Sequence, residues 1–126
     1  MTIEAFCQRR FPSVTPNQPV IDAARGMRDG GVSAIVVLEA GCPVGIITNR
    51  DIVVRAVLEG RDLTTTPVHE VMSRNVMCAR DNDRLDELIR QMREANVRRM
   101  PVVDADGAAV GLVTLDDLFA LLESGV

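Results

Sequence analysis

The chain has 126 residues, with 14 basic against 18 acidic side chains, a formal charge of −4 and 47% hydrophobic residues. The hydrophobic share excludes a disordered chain, and the acidic balance argues against generic nucleic-acid binding, whose affinity comes from neutralising phosphates. No apolar run approaches the roughly 18–20 residues that span a bilayer, so a soluble, cytoplasmic protein is expected.

Ile3-Glu4-Ala5-Phe6-Cys7 forms a leader, and Ser13-Val14-Thr15 a short strand. Pro19 followed by Val20, Ile21, Ala24 and Met27 predicts a helix with proline in its first turn, ended by Asp29-Gly30-Gly31. Two β-branched runs, Ala34–Leu38 and Val44–Ile47, flank the turn Glu39-Ala40-Gly41 and predict an antiparallel hairpin. A helix over Asn49–Leu58 follows, closed by Gly60, and residues 61–67 with Thr64-Thr65-Thr66-Pro67 form a linker. The series then returns: leader Val68-His69-Glu70-Val71-Met72, short strand Cys78-Ala79-Arg80, and a helix with Leu85, Leu88, Ile89 and Met92 on one stripe, ended by Ala95-Asn96. Next come Met100–Val103 and Val110–Val113 around the turn at 104–107, and a helix over Leu115–Leu122 closed by Gly125.

The series is an internal repeat. Gly45-Ile46-Ile47-Thr48-Asn49-Arg50-Asp51 answers to Gly111-Leu112-Val113-Thr114-Leu115-Asp116-Asp117, with Gly, Thr and Asp in phase. The offset is 65 from Met27 to Met92 and 66 from Gly45 to Gly111, which places one inserted residue near Asp106-Gly107. The expected fold is therefore α+β: repeat 1 over 1–60, a linker over 61–67, and repeat 2 over 68–126. A half of about 60 residues is marginal alone, so the halves are expected to share one core. Both repeats together take up the 126 residues, so no attached catalytic or DNA-binding domain is expected.

Thr48 and Asp51, like Thr114 and Asp117, stand three residues apart ahead of an apolar helix. That spacing matches a capping box, although Glu or Gln is the usual acid and Asp is a shorter reach. The order and duplication of these G-x-x-T-x-x-D segments, with Met-Pro-Val-Val-Asp at 100–104 and the Val-x-Glu-Val-Met leader at 68–72, resemble the cystathionine-β-synthase (CBS) domain family. The resemblance covers essentially the whole chain as a tandem pair, a stand-alone Bateman-type module. It implies a regulatory module that binds adenosine-containing ligands in clefts between the repeats and signals to an effector protein. AMP, ADP or ATP lead, with S-adenosylmethionine or NAD behind, and no cofactor is required. It also implies a homodimer.

On that resemblance the Thr hydroxyl and the helix N-terminal amides face a phosphate. The Asp carboxylate offers two acceptor oxygens to the ribose cis-diol. The two positions differ: Arg50 precedes Asp51, whereas Asp116 precedes Asp117, so the Thr48/Asp51 position is expected to prefer a phosphorylated ligand. Arg98-Arg99 complicates that assignment. The pair reads as solvated at a strand start, or, on the resemblance, as reaching phosphates in the central cleft. The adenine slot is assigned to Val14 and Thr15 with Ile35, and to Cys78-Ala79-Arg80 with Met100.

All the basic residues are arginine, which reflects either codon bias or the fitness of a planar fork for anions. Cys7, Cys42 and Cys78 lack metal or disulfide spacing, and His69, the single histidine, has no partner for catalysis. Without a nucleophile–base pair, a dinucleotide fingerprint or a P-loop, an enzyme is not expected. The alternative is a ligand-independent dimerisation module, pairing through Ile52, Val53, Ala56 and Val57 against Leu118, Leu121 and Leu122.

Overall fold

A computed structural model describes residues 3–123; Gly125, expected to close the last helix, lies outside the described residues. In chain order it contains α1 (Ile3–Phe6), β1 (Ser13–Val14), α2 (Val20–Gly30), the hairpin β2 (Ala34–Glu39) and β3 (Cys42–Thr48), and α3 (Asn49–Ile52). A π-helical segment (Val53–Val57) continues α3, and a 3₁₀ turn (Val68–Glu70) opens the second series. Then follow α4 (Leu85–Glu94), the hairpin β4 (Arg99–Val103) and β5 (Ala109–Thr114), and α5 (Leu115–Glu123). The mixed class and the repeated strand, helix, hairpin, helix order agree with the sequence reading.

Local differences have local causes. The helix expected over 49–58 is α-helical only to Ile52; β-branched residues at 52, 53, 54 and 57 crowd an α turn, and the chain widens so that the Leu58 amide reaches Val53 O at 2.9 Å. The strand expected at 78–80 contributes a single parallel bridge, Ala79 to Val102. Ala40 (φ 51°) and Gly41 (φ 80°) make the tight first hairpin turn, where two positive φ angles match the strand twist. The longer second loop holds the inserted residue and is organised by Asp104, whose Oδ1 accepts from the amides of Asp106 (2.9 Å) and Ala108 (3.0 Å). Both hairpins shift register at equivalent places, after Val37 and after Val102.

The described residues form two compact units, one of Pro12–Val76 and one of residues 3–11 with 77–123. These units do not follow the boundaries at 60 and 68, because each leader docks on the hairpin of the other repeat. Ser73 lies beside β3 and exchanges hydrogen bonds with Ile46 at 2.8 and 2.9 Å; Gln8 lies beside β5 and does the same with Leu112, both at 2.8 Å. An open strand edge needs such a partner. The duplicated glycines make the approach possible: a Cβ on Gly45 would meet Met72 Sδ at 2.6 Å and Ser73 O at 2.7 Å, and one on Gly111 would meet Cys7 Sγ and Gln8 O.

The buried apolar residues likewise form two clusters, where one shared core was expected. Val14, Val20, Ile35, Val37, Ile47, Ile52 and Ala56 with the leader residues Val68, Val71 and Met72 make one. Ile3, Ala79, Leu88, Met92, Met100, Val113, Leu118 and Leu121 make the other. The borrowed leader supplies each unit with the apolar cover that its own repeat lacks.

Candidate functional site

In each unit the hairpin's second strand ends on a threonine that starts a helix. Thr48 has extended backbone angles, its Oγ1 accepts from the Asp51 amide at 3.1 Å, and Asp51 Oδ2 accepts from the Thr48 amide at 3.0 Å. Thr114 and Asp117 repeat this reciprocal pair, both bonds at 3.0 Å. The shorter acid therefore closes the capping box after all. The next amide is also satisfied in both units: Asn49 N donates to Ser33 O at 2.9 Å and Leu115 N to Arg98 O at 2.7 Å. Each arrangement presents a hydroxyl and a half-buried carboxylate at a helix start whose leading amides already have partners.

The surroundings differ. Arg50 is exposed, and its amide donates to the Asn49 side chain at 2.8 Å; Asp116 is exposed at the matching place. Across the hairpin, Ala34 pairs with Thr48, whereas Arg99 pairs with Thr114. Directly paired residues project from the same face of a sheet, so the 77–123 unit sets a guanidinium-bearing residue beside its threonine. Arg98 is exposed and Arg99 half-buried.

One residue near Asp51 was not singled out by sequence. Arg55 brings Nε to 3.9 Å from Asp51 Oδ1, while its Nη1 donates to the carbonyls of Val71 (3.3 Å) and Met72 (3.2 Å). The i,i+4 spacing of acid and arginine was the available signal; the leader carbonyls were not visible in it. Leu121 occupies the matching place in α5 and is buried.

The residues assigned to an adenine slot fall into two classes. Val14, Ile35 and Met100 are buried members of the two cores. Ile35 pairs with Ile47, next to Thr48, and Met100 with Val113, next to Thr114. Thr15 is exposed at the end of β1, and its amide donates to Gln18 Oε1 at 2.7 Å. Burial pushes the Cys7 and Cys78 thiols up from the ordinary range, which keeps them protonated at neutral pH. Among the described residues, no cluster of three or more His, Cys, Asp or Glu is arranged to hold a metal. No helix among them is long and apolar enough to cross a membrane.

Two CBS-domain matches, at residues 3–57 and 68–124, account for nearly the whole chain. The chain belongs to the CBS-domain family. The CBS domain-containing protein YhcV of Bacillus subtilis is 41% identical over 106 residues, covering 84% of this chain and 74% of that protein. A CBS-domain protein of Burkholderia ambifaria, proposed to act in signal transduction, has a similar solved structure, with TM-score 0.81, 29% identity and coverage of 98% and 95%. A Methanocaldococcus jannaschii protein proposed as an archaeal homologue of γ-AMPK is similar at TM-score 0.81 and 27% identity, over 96% of this chain and 47% of that one. Across the curated relatives compared, the chain spans 14% to 74% of their length. CBS pairs are regulatory modules, and here the two repeats carry the same Thr/Asp geometry in different electrostatic settings.

Proposed function

We propose that this CBS pair is a sensor of an adenosine-containing ligand, most suitably AMP, ADP or ATP, that passes its occupancy to an effector protein. The observation that carries this reading is the duplicated Thr/Asp pair at a helix start. In each unit the carboxylate uses Oδ2 for the cap and retains further acceptor capacity for a ribose diol. The threonine hydroxyl, which accepts from the aspartate amide, keeps its own proton to donate to a phosphate. Thr48 and Asp51 with Arg50, and Thr114 and Asp117 with Arg99, are the residues we assign to it; Thr15 and the β1 backbone are the contacts for the base.

Isothermal titration with AMP, ADP, ATP, S-adenosylmethionine and NAD(H) tests the reading. Binding in the micromolar-to-millimolar range is expected, and ligand at one hundred times its Kd should add about 2.7 kcal/mol of stability. No heat and no thermal shift with any of the five would overturn it. The chain has no Trp or Tyr, so the ultraviolet spectrum of purified protein would also show a retained adenine almost without background.

A second reading, self-association, is favoured by a specific surface. Val53, Val54, Val57 and Leu58 are all exposed along the π-helical segment, and Leu58 keeps 72% of its surface. Exposed apolar faces of this kind mark interaction surfaces. Of the residues expected to pair two copies, Ile52, Ala56, Leu118 and Leu121 are instead buried in their own units, leaving Val53, Val57 and Leu122. A dimer mass by light scattering at tens of micromolar, lost in Val53→Glu/Val57→Glu, is the expected result; a monomer would remove this reading.

A further inference from the structure

The two repeats diverge most sharply one helical turn beyond their aspartates. In α5 the inward positions are Leu115, Leu118 and Leu121, a regular α-helical stripe. In the first repeat the inward positions are Ile52 and Ala56. By the offset of 66, Ala56 matches the exposed Leu122, and Arg55 matches the buried Leu121. The π-helical segment has therefore moved the inward face on by one residue. Ala56 enters the core, and Arg55 turns outward at the position where α5 has a buried leucine. π segments within helices are often placed at functional sites.

Arg55 stands at a junction of three groups. Asp51 Oδ1 lies 3.9 Å from its Nε, and the carbonyls of Val71 and Met72 lie 3.3 and 3.2 Å from its Nη1. These carbonyls immediately precede Ser73, which holds the edge of β3 through its two hydrogen bonds to Ile46. A guanidinium is planar and rigid, so reorienting one edge reorients the other. Arg55 is about half exposed and Asp51 much less so, so their ion pair alone is weak. Its significance is geometric: the carboxylate we assign to ligand binding is one side chain away from the leader.

We infer that Arg55 is a positioning residue that couples the charge on Asp51 to the hold of the leader on β3. For its ligand arm this rests on the function proposed above. When hydroxyl groups donate to Asp51 Oδ1, the carboxylate's charge is shared with them and its pull on Nε falls. Arg55 then loses the anchor that aims Nη1 at the Val71 and Met72 carbonyls, and the Ser73–Ile46 bridge opens more often. At the matching position the second repeat carries Leu121, whose aliphatic side chain offers no charged group to Asp117 and no N–H to the carbonyls of the Gln8 leader.

Amide hydrogen exchange of ligand-free protein tests this through a double-mutant cycle of Asp51→Asn and Arg55→Leu. Asn retains a carbonyl acceptor for the Thr48 amide, and Leu is the residue the other repeat carries. Asp51→Asn should speed exchange of the Ser73 and Ile46 amides roughly threefold or more, the scale of one exposed charge pair, and should have no further effect in Arg55→Leu. Arg55→Gln serves in place of Arg55→Leu if the latter does not fold. In the second repeat, Asp117→Asn should leave the Gln8 and Leu112 amides unchanged. No effect of Asp51→Asn on Ser73, or the same effect with Arg55 removed, overturns the inference. AMP added to the wild-type protein should speed the same two amides, and in Arg55→Leu at equal saturation it should not. If titration shows no nucleotide binding, the proposed function fails while the ligand-free cycle still decides the role of Arg55.

Discussion

The two helix starts, Thr48–Asp51 and Thr114–Asp117, are nearly superimposable in their hydrogen bonding, with all four reciprocal bonds between 3.0 and 3.1 Å. Their neighbours are not. The first has Arg50 and Arg55 along its helix and Ala34 across the hairpin; the second has Asp116 and Leu121 along its helix and Arg99 across the hairpin. A duplicated cap is thus a constant on which each repeat has built a different electrostatic environment, one from its helix and one from its sheet. The comparison shows why matching motifs do not make matching sites.

The largest effects should come from what the repeats share. Gly45→Ala and Gly111→Ala each force a methyl group onto the docked leader and should cost about 1–3 kcal/mol in urea unfolding. The two should cost similar amounts, since each new carbon meets a leader sulfur (Met72 Sδ or Cys7 Sγ) and a leader backbone oxygen, Ser73 O at 2.7 Å from that on Gly45 and Gln8 O at 2.9 Å from that on Gly111. Gly31→Ala is the control: it has positive φ but open space around it, so its cost is conformational. A Gly111 variant no worse than that control would mean the first leader rests loosely.

Next comes the contrast between the aspartates. Asp51→Ala should weaken nucleotide binding by about 1–3 kcal/mol, the range for a buried polar group that loses its partner, and Asp117→Ala by less, because Asp116 opposes a phosphate there. Equal losses in calorimetry would show that Arg99, paired with Thr114 across the hairpin, compensates for Asp116. No loss at either position would leave both aspartates with the cap alone.

Removing the cap hydroxyls should erase the difference. Thr48→Ala and Thr114→Ala should each destabilise by about 0.5–2 kcal/mol, and by similar amounts, because the cap geometry is the same. Thermal melts that separate them widely would show that the π-helical continuation of α3 changes what its cap is worth.

The smallest effect is in acid. The Thr64 hydroxyl and amide hold Asp62 below the usual carboxylate range, the Glu87 amide and Arg84 do so for Asp86, and Arg90 does so for Glu87. A depressed folded-state value stabilises above the unfolded value of about 4 and loses that contribution as pH falls through the folded one. A slight drop in Tm below about pH 4 is expected, flattened in the unit of Pro12–Val76 by Asp62→Asn and in the other by Asp86→Asn. All three groups are exposed, so a large change would point to carboxylates elsewhere.

Much of the fold was legible because its signals are local. Pro19 and Gly31 bound α2, Asn96 adopts positive φ after α4, and the β-branched runs became hairpins. Thr48 and Asp51 were legible for the same reason: a cap is formed by residues three apart. Arg55 was not, since its carbonyl acceptors lie 16 and 17 residues away on a leader. Val14, Ile35 and Met100 show the opposite difficulty, as apolar residues at strand spacing read equally as slot or core until burial is known.

By itself the sequence determined the duplication, the element types, the turns and the caps, since each depends on dihedral preferences and hydrogen bonds within a few residues. Only the tertiary structure decided which leader covers which hairpin, because an open strand edge accepts any extended segment that reaches it and the glycines clear both edges alike. It also decided that one widened helical turn would bring Ala56 inward and leave Arg55 between Asp51 and the leader. Packing chose that arrangement: small Ala56 fits the core beside Ile52, and a guanidinium with polar partners at the surface avoids the cost of burying a charge unpaired.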